Sequence, residues 1–348
     1  MTFLVLYEEL AAYFVKCISV FAEQHNYEVH IIRKEINTEA PFNLNLKGIK
    51  TYNRSDYTDE ELIQLVNKIN PDAILSGGWA SKIYLKIVSE RKENVPAVLG
   101  FDTKWNGSWR QLLGSTVARF RITSKFDSCF VPGDEQKKLA LKIGFKPNQI
   151  INGAYCCDFD LFHNQFLANK EQKKKQFPHR FIYVGRYVEH KGIKDLWRAF
   201  IELQNEESND WELWCLGTGD VPPVNHAKIK HFGFVQPEEL HNYISDTGVF
   251  VLPSHFEPWG VVVHEFAAAG FPIICTDEVG ARTAFVENNN NGYIYNSGDI
   301  NQLKNVLKKM MNHTDKELFT MGENSVTKAK QNTPEIWANK LFTLINKQ

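Results

Sequence analysis

The chain has 348 residues, with 40 lysines and arginines against 41 aspartates and glutamates, for a formal net charge of −1. At 43% hydrophobic and 23% charged residues it has a globular composition, and its length suits two domains of roughly 150–180 residues each. That balance excludes a chain built throughout for nucleic acid. Six scattered cysteines (Cys17, Cys129, Cys156, Cys157, Cys215 and Cys275) show no CxxC spacing, which predicts reduced thiols in a cytosolic protein rather than a disulfide framework or zinc site.

The first stretch, TFLVLY, reads as a strand, and the amphipathic segment from Glu8 to about His25 as a helix. No basic leader precedes it and Glu8 and Glu9 interrupt its apolar run, so it is not expected to be a signal peptide. No later run approaches the length needed to span a bilayer, and the expected location is cytoplasmic, with a peripheral position on the inner membrane face left open. YEVHIIR, DEELIQLVNKIN, PDAILSGG, VPAVLGFD, DSCFVP and DEQKKLALKIG continue an alternation of strands and helices, the last ending at Gly144. That rhythm predicts a parallel sheet covered on both faces.

Around residues 163–180 the pattern changes to the lysine-rich HNQFLANKEQKKKQFPHR, which reads as a hinge or linker. The alternation then resumes with RFIYVG, GIKDLWRAFIELQ, WELWCLG, IKHFGFV, VFVLPS, VVVHEFAAAG and FPIICT. The expected organisation is therefore an N-terminal Rossmann-like domain over 1–165 and a second over 166–332. A final helix at about 333–348 is expected to pack back on the first domain.

In open parallel sheets ligands bind beyond the carboxyl ends of the strands, so the loops after strands are the informative ones. After FIYVG, Arg186 and Lys191 share one loop, either as a clamp for an anion such as a diphosphate or as ordinary surface charges. After WELWCL, Gly217 and Gly219 permit either close ligand approach or a tight turn. Gly233, Phe234 and Val235 either cradle a nucleotide base or simply end a buried strand.

The strongest signal is VLPSHFEPWGVVVHEFAAAG. A strand ends at Ser254, Pro258 and Gly260 open a helix, and the free amides at that helix start attract negative charge. Glu257 stands before the helix and Glu265 within it, both suited to accept hydrogen bonds from sugar hydroxyls. A buried carboxylate is costly unless something pairs with it, and a ligand carrying phosphate and vicinal diols would satisfy the whole group. His264, inside the same helix, reads as a packed core histidine.

This stretch, together with GRYVEHKG, GTGD and VPGDEQKKLALKIGFKPNQIINGAYCCDFDLF, resembles the retaining GT-B glycosyltransferases of glycosyltransferase family 4. The resemblance covers most of residues 130–300 and the first 125 residues only by rhythm. It implies an α/β GT-B fold of two doubly wound Rossmann-like domains facing an interdomain cleft. It implies that Arg186 and Lys191 hold a diphosphate, that Glu257 contacts the donor sugar and acts in catalysis with them, and that Glu265 holds the ribose. Trp259, Gly260 and Val261 fall where helix-start amides meet phosphate or sugar, with Ser254, Pro258, Gly217, Gly219, Phe234 and Val235 completing the donor site. It further implies transfer with retention from a UDP-sugar, or next a GDP-sugar, to a glycan or lipid-linked acceptor in surface polysaccharide assembly, with no cofactor and no metal. A small soluble glycoside as product, or a catalytically silent sugar-nucleotide-binding subunit, are the alternatives.

Two places depart from that pattern. The first strand is followed by YEELAAYF rather than a glycine-rich loop, and VLGFDTKW offers Asp102 where many relatives carry histidine. Asp102 either orients a hydroxyl or caps a helix, and Gly77 and Gly78 form a second candidate cleft-lining turn. Residues 103–126 contain no acidic side chain, and set Lys104, Arg110, Arg119, Arg121 and Lys125 among Trp105, Trp109, Leu112 and Leu113. That composition suits an anionic membrane surface or a lipid-pyrophosphate acceptor, with Lys104, Trp105 and Arg110 as acceptor-side candidates. The plain alternative is a helix whose apolar side packs on the sheet.

Overall fold

A computed structural model of the chain describes residues 1–34, 44–91, 93, 95–206 and 209–346. It divides into two units, Met1–Cys156 with Asn332–Gln348, and Cys157–Gln331.

In the first unit the order is β1 (Thr2–Leu6), α1 (Ala12–His25), β2 (Glu28–Arg33), β3 (Ile49–Asn53), α2 (Asp59–Ile69), β4 (Ala73–Gly77), α3 (Lys82–Arg91), β5 (Ala97–Gly100), α4 (Trp109–Arg121), β6 (Ser128–Val131), α5 (Asp134–Lys142) and β7 (Ile150–Asn152). The second runs α6 (Phe159–Lys175), β8 (Arg180–Val184), α7 (Ile193–Glu206), β9 (Glu212–Leu216), β10 (Ile229–His231), α8 (His241–Ile244), β11 (Val249–Leu252), α9 (Val261–Ala268), β12 (Ile273–Thr276), α10 (Arg282–Phe285), β13 (Gly292–Tyr295), α11 (Ile300–Met311) and α12 (Asp315–Ala329). The last helix, α13 (Pro334–Ile345), belongs to the first unit; residues 347–348 lie outside the described residues.

Each unit is one parallel sheet, β3-β2-β1-β4-β5-β6-β7 and β10-β9-β8-β11-β12-β13. Alternating side chains of β1 show why these strands are apolar throughout. Phe3 and Val5 enter a core shared with α1 and α13, while Leu4 and Leu6 enter one shared with α2, α3 and α5. Both sheets are therefore doubly wound. The strand order reverses between β1 and β4 in the first and between β8 and β11 in the second.

The segment read as a linker is mostly helix. Phe159, Phe162 and Phe166 recur at helical spacing in α6 and are buried, and Phe166 lies against Gly270 of the second unit. The boundary accordingly falls after Cys156, not near residue 165. On the other side of it, α13 is tied to the first sheet: Trp337 Nε1 donates to the Ala154 carbonyl at 2.7 Å, and its ring packs on Phe14 and Phe130. All six cysteines are buried free thiols.

Candidate functional site

In the second unit the loops that follow β8, β9, β10 and β11 are locked to one another through their backbones. The Tyr187 amide donates to the Thr218 carbonyl at 2.8 Å and the Gly217 amide to the Gly233 carbonyl at 2.6 Å. A Cβ on Gly217 would stand 1.9 Å from the Gly185 carbonyl oxygen, so that position requires glycine for close backbone approach. Gly219 packs against Tyr187 in the same way. These two glycines fit one loop against another.

The β8 loop also presses on the β11 loop. A Cβ on Gly192 would meet the Pro253 carbonyl oxygen at 2.0 Å, and the His190 carbonyl accepts from the His255 amide at 2.8 Å. This contact brings Lys191 Nζ onto the Glu257 carboxylate as an ion pair with both side chains largely buried. The neighbouring His190 is held below the usual histidine range, first by burial and then by the charges of Lys191 and Arg186.

Behind Glu257 the chain is clamped by the β12 loop. Thr276 Oγ1 donates to the Ser254 carbonyl at 2.6 Å, the Gly280 amide to the Glu257 carbonyl at 3.1 Å, and the Ala281 amide to the Trp259 carbonyl at 2.8 Å. Gly260, at φ +88°, then turns the chain into α9 without a side-chain cap. The first amides of α9 have no intrahelical acceptor and point their partial positive charge outward. The buried Ser254 Oγ and Trp259 Nε1 make no hydrogen bond within the described residues. Buried polar atoms are normally satisfied, so a polar ligand would give each a partner.

Glu265 sits one turn into α9, partly buried, with no side-chain hydrogen bond among the described residues. Burial, with Asp158 and Glu238 as further negative neighbours, pushes its carboxyl up to about 7. Phe234 is exposed and Val235 half-buried in the loop after β10, and the Trp259 ring packs into the core near Phe285. His264 is a core residue: Nδ1 accepts from the Cys157 amide at 3.2 Å and Nε2 donates to the Ala329 carbonyl at 3.0 Å.

The first unit has its own cavity of about 510 Å³ at the reversal between β1 and β4. Gly77, Gly78 and Asp102 line it, as do Tyr7 and Tyr155. Tyr155 donates to Asp102 Oδ2 at 3.3 Å, and burial pushes the Tyr7 hydroxyl up to about 12. Among the described lining residues Glu8, Glu9 and Asp102 are acidic and none is lysine or arginine. Lys104, Trp105 and Arg110 do not line it. Lys104 approaches Glu135, Trp105 packs beside Lys142, and Arg110 lies over Trp109.

Sequence reasoning missed the YEE stretch after β1 as a lining element, because it looked there for glycines. It also missed His190 and His255, the latter paired with Asp195 at 2.6 Å. The position of both histidines in loops that follow strands, after β8 and after β11, was the available signal.

Residues 165–327 match the family model described as Glycosyl transferases group 1. The capsular polysaccharide biosynthesis glycosyltransferase CapM of Staphylococcus aureus is 29% identical over 173 residues, 46% of this chain and 44% of CapM. The alpha-monoglucosyldiacylglycerol synthase of Acholeplasma laidlawii is 30% identical over 173 residues, 47% of this chain and 42% of the synthase. The matched region thus spans less than half of each of these relatives. Among solved structures, sucrose-phosphate synthase from Thermosynechococcus elongatus superposes with a TM-score of 0.74 at 17% identity, covering 99% of this chain and 98% of that one. Anabaena HepE in complex with UDP and glucose does so at 0.71 and 12% identity, covering 99% of both chains. These likenesses establish the shared GT-B fold.

Proposed function

We propose, from a chain whose residues 165–327 carry the glycosyl transferases group 1 pattern on a GT-B fold, that the protein is a retaining glycosyltransferase using a nucleotide-diphosphate sugar. The observation that carries this is the Lys191–Glu257 pair at the reversal between β8 and β11, with Arg186 and the pair both acting on His190, before the uncapped start of α9. Lys191, Arg186 and the α9 amides supply positive charge where a diphosphate leaves, which stabilises the developing negative charge without a metal. Glu257 then orients the sugar, and Glu265, whose side chain makes no hydrogen bond among the described residues, accepts hydrogen bonds from the ribose. In the reaction the anomeric carbon–oxygen bond to the diphosphate breaks, the bond to the acceptor oxygen forms on the same face, and the acceptor proton passes to the departing diphosphate.

UDP is the favoured nucleotide; the Anabaena structure with UDP and glucose supports it by fold likeness. The names of the capsular and diacylglycerol relatives support a glycan or lipid-linked acceptor and a setting in surface polysaccharide or glycolipid assembly. The acidic, aromatic cavity of the first unit suits the hydroxyls of an uncharged or amino-bearing acceptor sugar. A thermal-shift panel of UDP, GDP, ADP, TDP and CMP tests the reading, followed by turnover of the matching nucleotide sugars with and without EDTA. Ligand at about a hundred times its dissociation constant stabilises the fold by roughly 2.7 kcal/mol, so UDP should raise the melting temperature alone or most. No shift from any nucleotide and no nucleotide release from any sugar donor would overturn it.

A further inference from the structure

We infer that α4 is a docking face for an anionic lipid bilayer. Helices normally turn their apolar stripe to the core, and α4 does the reverse. Only Ser115 and Ala118 are buried along its length. Trp109, Leu112, Leu113, Val117 and Phe120 are each more than half exposed, Trp109 at 67% and Phe120 at 74%. Trp109, Leu113 and Phe120 recur at the four- and seven-residue spacing of one helix face, opposite Ser115 and Ala118, with Leu112 and Val117 beside them. A continuous outward apolar stripe of this size on a protein surface marks a contact surface.

Charge selects the occupant. By helical position Arg110 and Arg121 flank the stripe on one side and Arg119 on the other, all three exposed. Lys104 and Lys125 are instead turned to protein partners, Glu135 and Ser89. No acidic residue occurs between Thr103 and Phe126. A second copy meeting this face about a two-fold axis would set arginine against arginine, which is unfavourable. A bilayer of anionic headgroups instead meets the arginines with phosphate while the stripe enters the acyl boundary. Among the described residues no helix is long and apolar enough to cross a membrane, so the contact is one of lying on the surface. This inference does not depend on the chemistry proposed for the second unit.

The experiment is flotation of the full chain with phosphatidylcholine vesicles, alone or with about one-third phosphatidylglycerol. Two variants accompany it, Leu113→Ser with Phe120→Ser, and Arg110→Gln with Arg119→Gln and Arg121→Gln. All five positions are exposed, so an unchanged melting temperature serves as the folding control. The wild type should float with the anionic vesicles and not with phosphatidylcholine alone, and each variant should lose about tenfold or more of that binding. Absence of wild-type flotation with anionic vesicles, or equal flotation of both variants, overturns the inference. So does a wild-type dimer in sedimentation that the Leu113→Ser, Phe120→Ser variant dissociates, which would assign the face to a second copy.

Discussion

Lys191 and Glu257 lie 66 positions apart in sequence, yet their side chains form an ion pair where the β8 and β11 loops meet. Removing one member of a buried pair leaves the other charge uncompensated. Glu257→Gln should therefore destabilise the free protein by about 1–3 kcal/mol, measured by urea unfolding, the low end reflecting the solvent that still reaches the pair. Because a diphosphate would then meet an unopposed Lys191, nucleotide binding should persist or strengthen while sugar transfer falls by about a hundredfold or more. Loss of binding and turnover together would make the carboxylate a scaffold for the loop.

Glu265 should make nucleotide binding depend on pH. Its folded pKa of about 7 lies above its unfolded value, so the folded state holds more protons than the unfolded one between them. Its contribution to stability is full below about 4.5 and declines as pH rises through 7. The total decline is at most about 3 kcal/mol. Glu265→Gln should remove this decline and be the more stable form above pH 7. If ribose hydroxyls donate to the ionised carboxylate, as proposed, the thermal shift given by UDP should grow through the pKa of about 7 in the wild type and stay flat in the variant. Isothermal titration across that range checks it.

How legible these features were varies with the physics behind each. The alternation of strands and helices is written in local periodicity, and both parallel sheets followed from it. The α6 stripe of Phe159, Phe162 and Phe166 is equally local, but the surrounding lysines masked it. Lys173 is buried although its residue type argues for solvent. For α4, periodicity reveals that an apolar stripe exists, yet nothing local says whether it faces the sheet or the solvent. The meeting of Tyr7, Asp102 and Tyr155 depends on three strand ends converging, and a single sequence carries no trace of that.

In the first unit, Asp102 accepts from Tyr155 at the cavity wall. Asp102→Asn keeps the shape and removes the charge, so it should leave the UDP thermal shift unchanged. If an acceptor hydroxyl uses this carboxylate, the variant should raise the acceptor KM or lower turnover by about tenfold, the scale of one charge-assisted hydrogen bond. Steady-state kinetics with the acceptor varied distinguish this from a donor-site effect. Unaltered acceptor kinetics would confine Asp102 to holding Tyr155.

Lys173 gives the second unit a pH-dependent element in its core. Its Nζ donates to the Thr247 carbonyl at 2.8 Å and lies 3.9 Å from the Phe271 ring centroid, and burial lowers its pKa to about 7 against the opposing pull of Asp246. The unfolded chain, with an ordinary lysine near 10.5, binds more protons than the folded one between these values. Stability must therefore rise with pH across that window, and below 7 the full cost of a buried charge is present. Lys173→Met keeps most of the side-chain volume and abolishes the titration, while giving up one hydrogen bond of about 1 kcal/mol. The stability difference, wild type minus variant, should climb by a few kcal/mol from neutral to alkaline pH, the amount set by the pKa displacement. Urea unfolding of both proteins across the window isolates this lysine, because every other titrating group is common to the two. A difference that stays level with pH would mean that Lys173 keeps its proton in the fold, with the Thr247 carbonyl and the Phe271 ring together offsetting its burial.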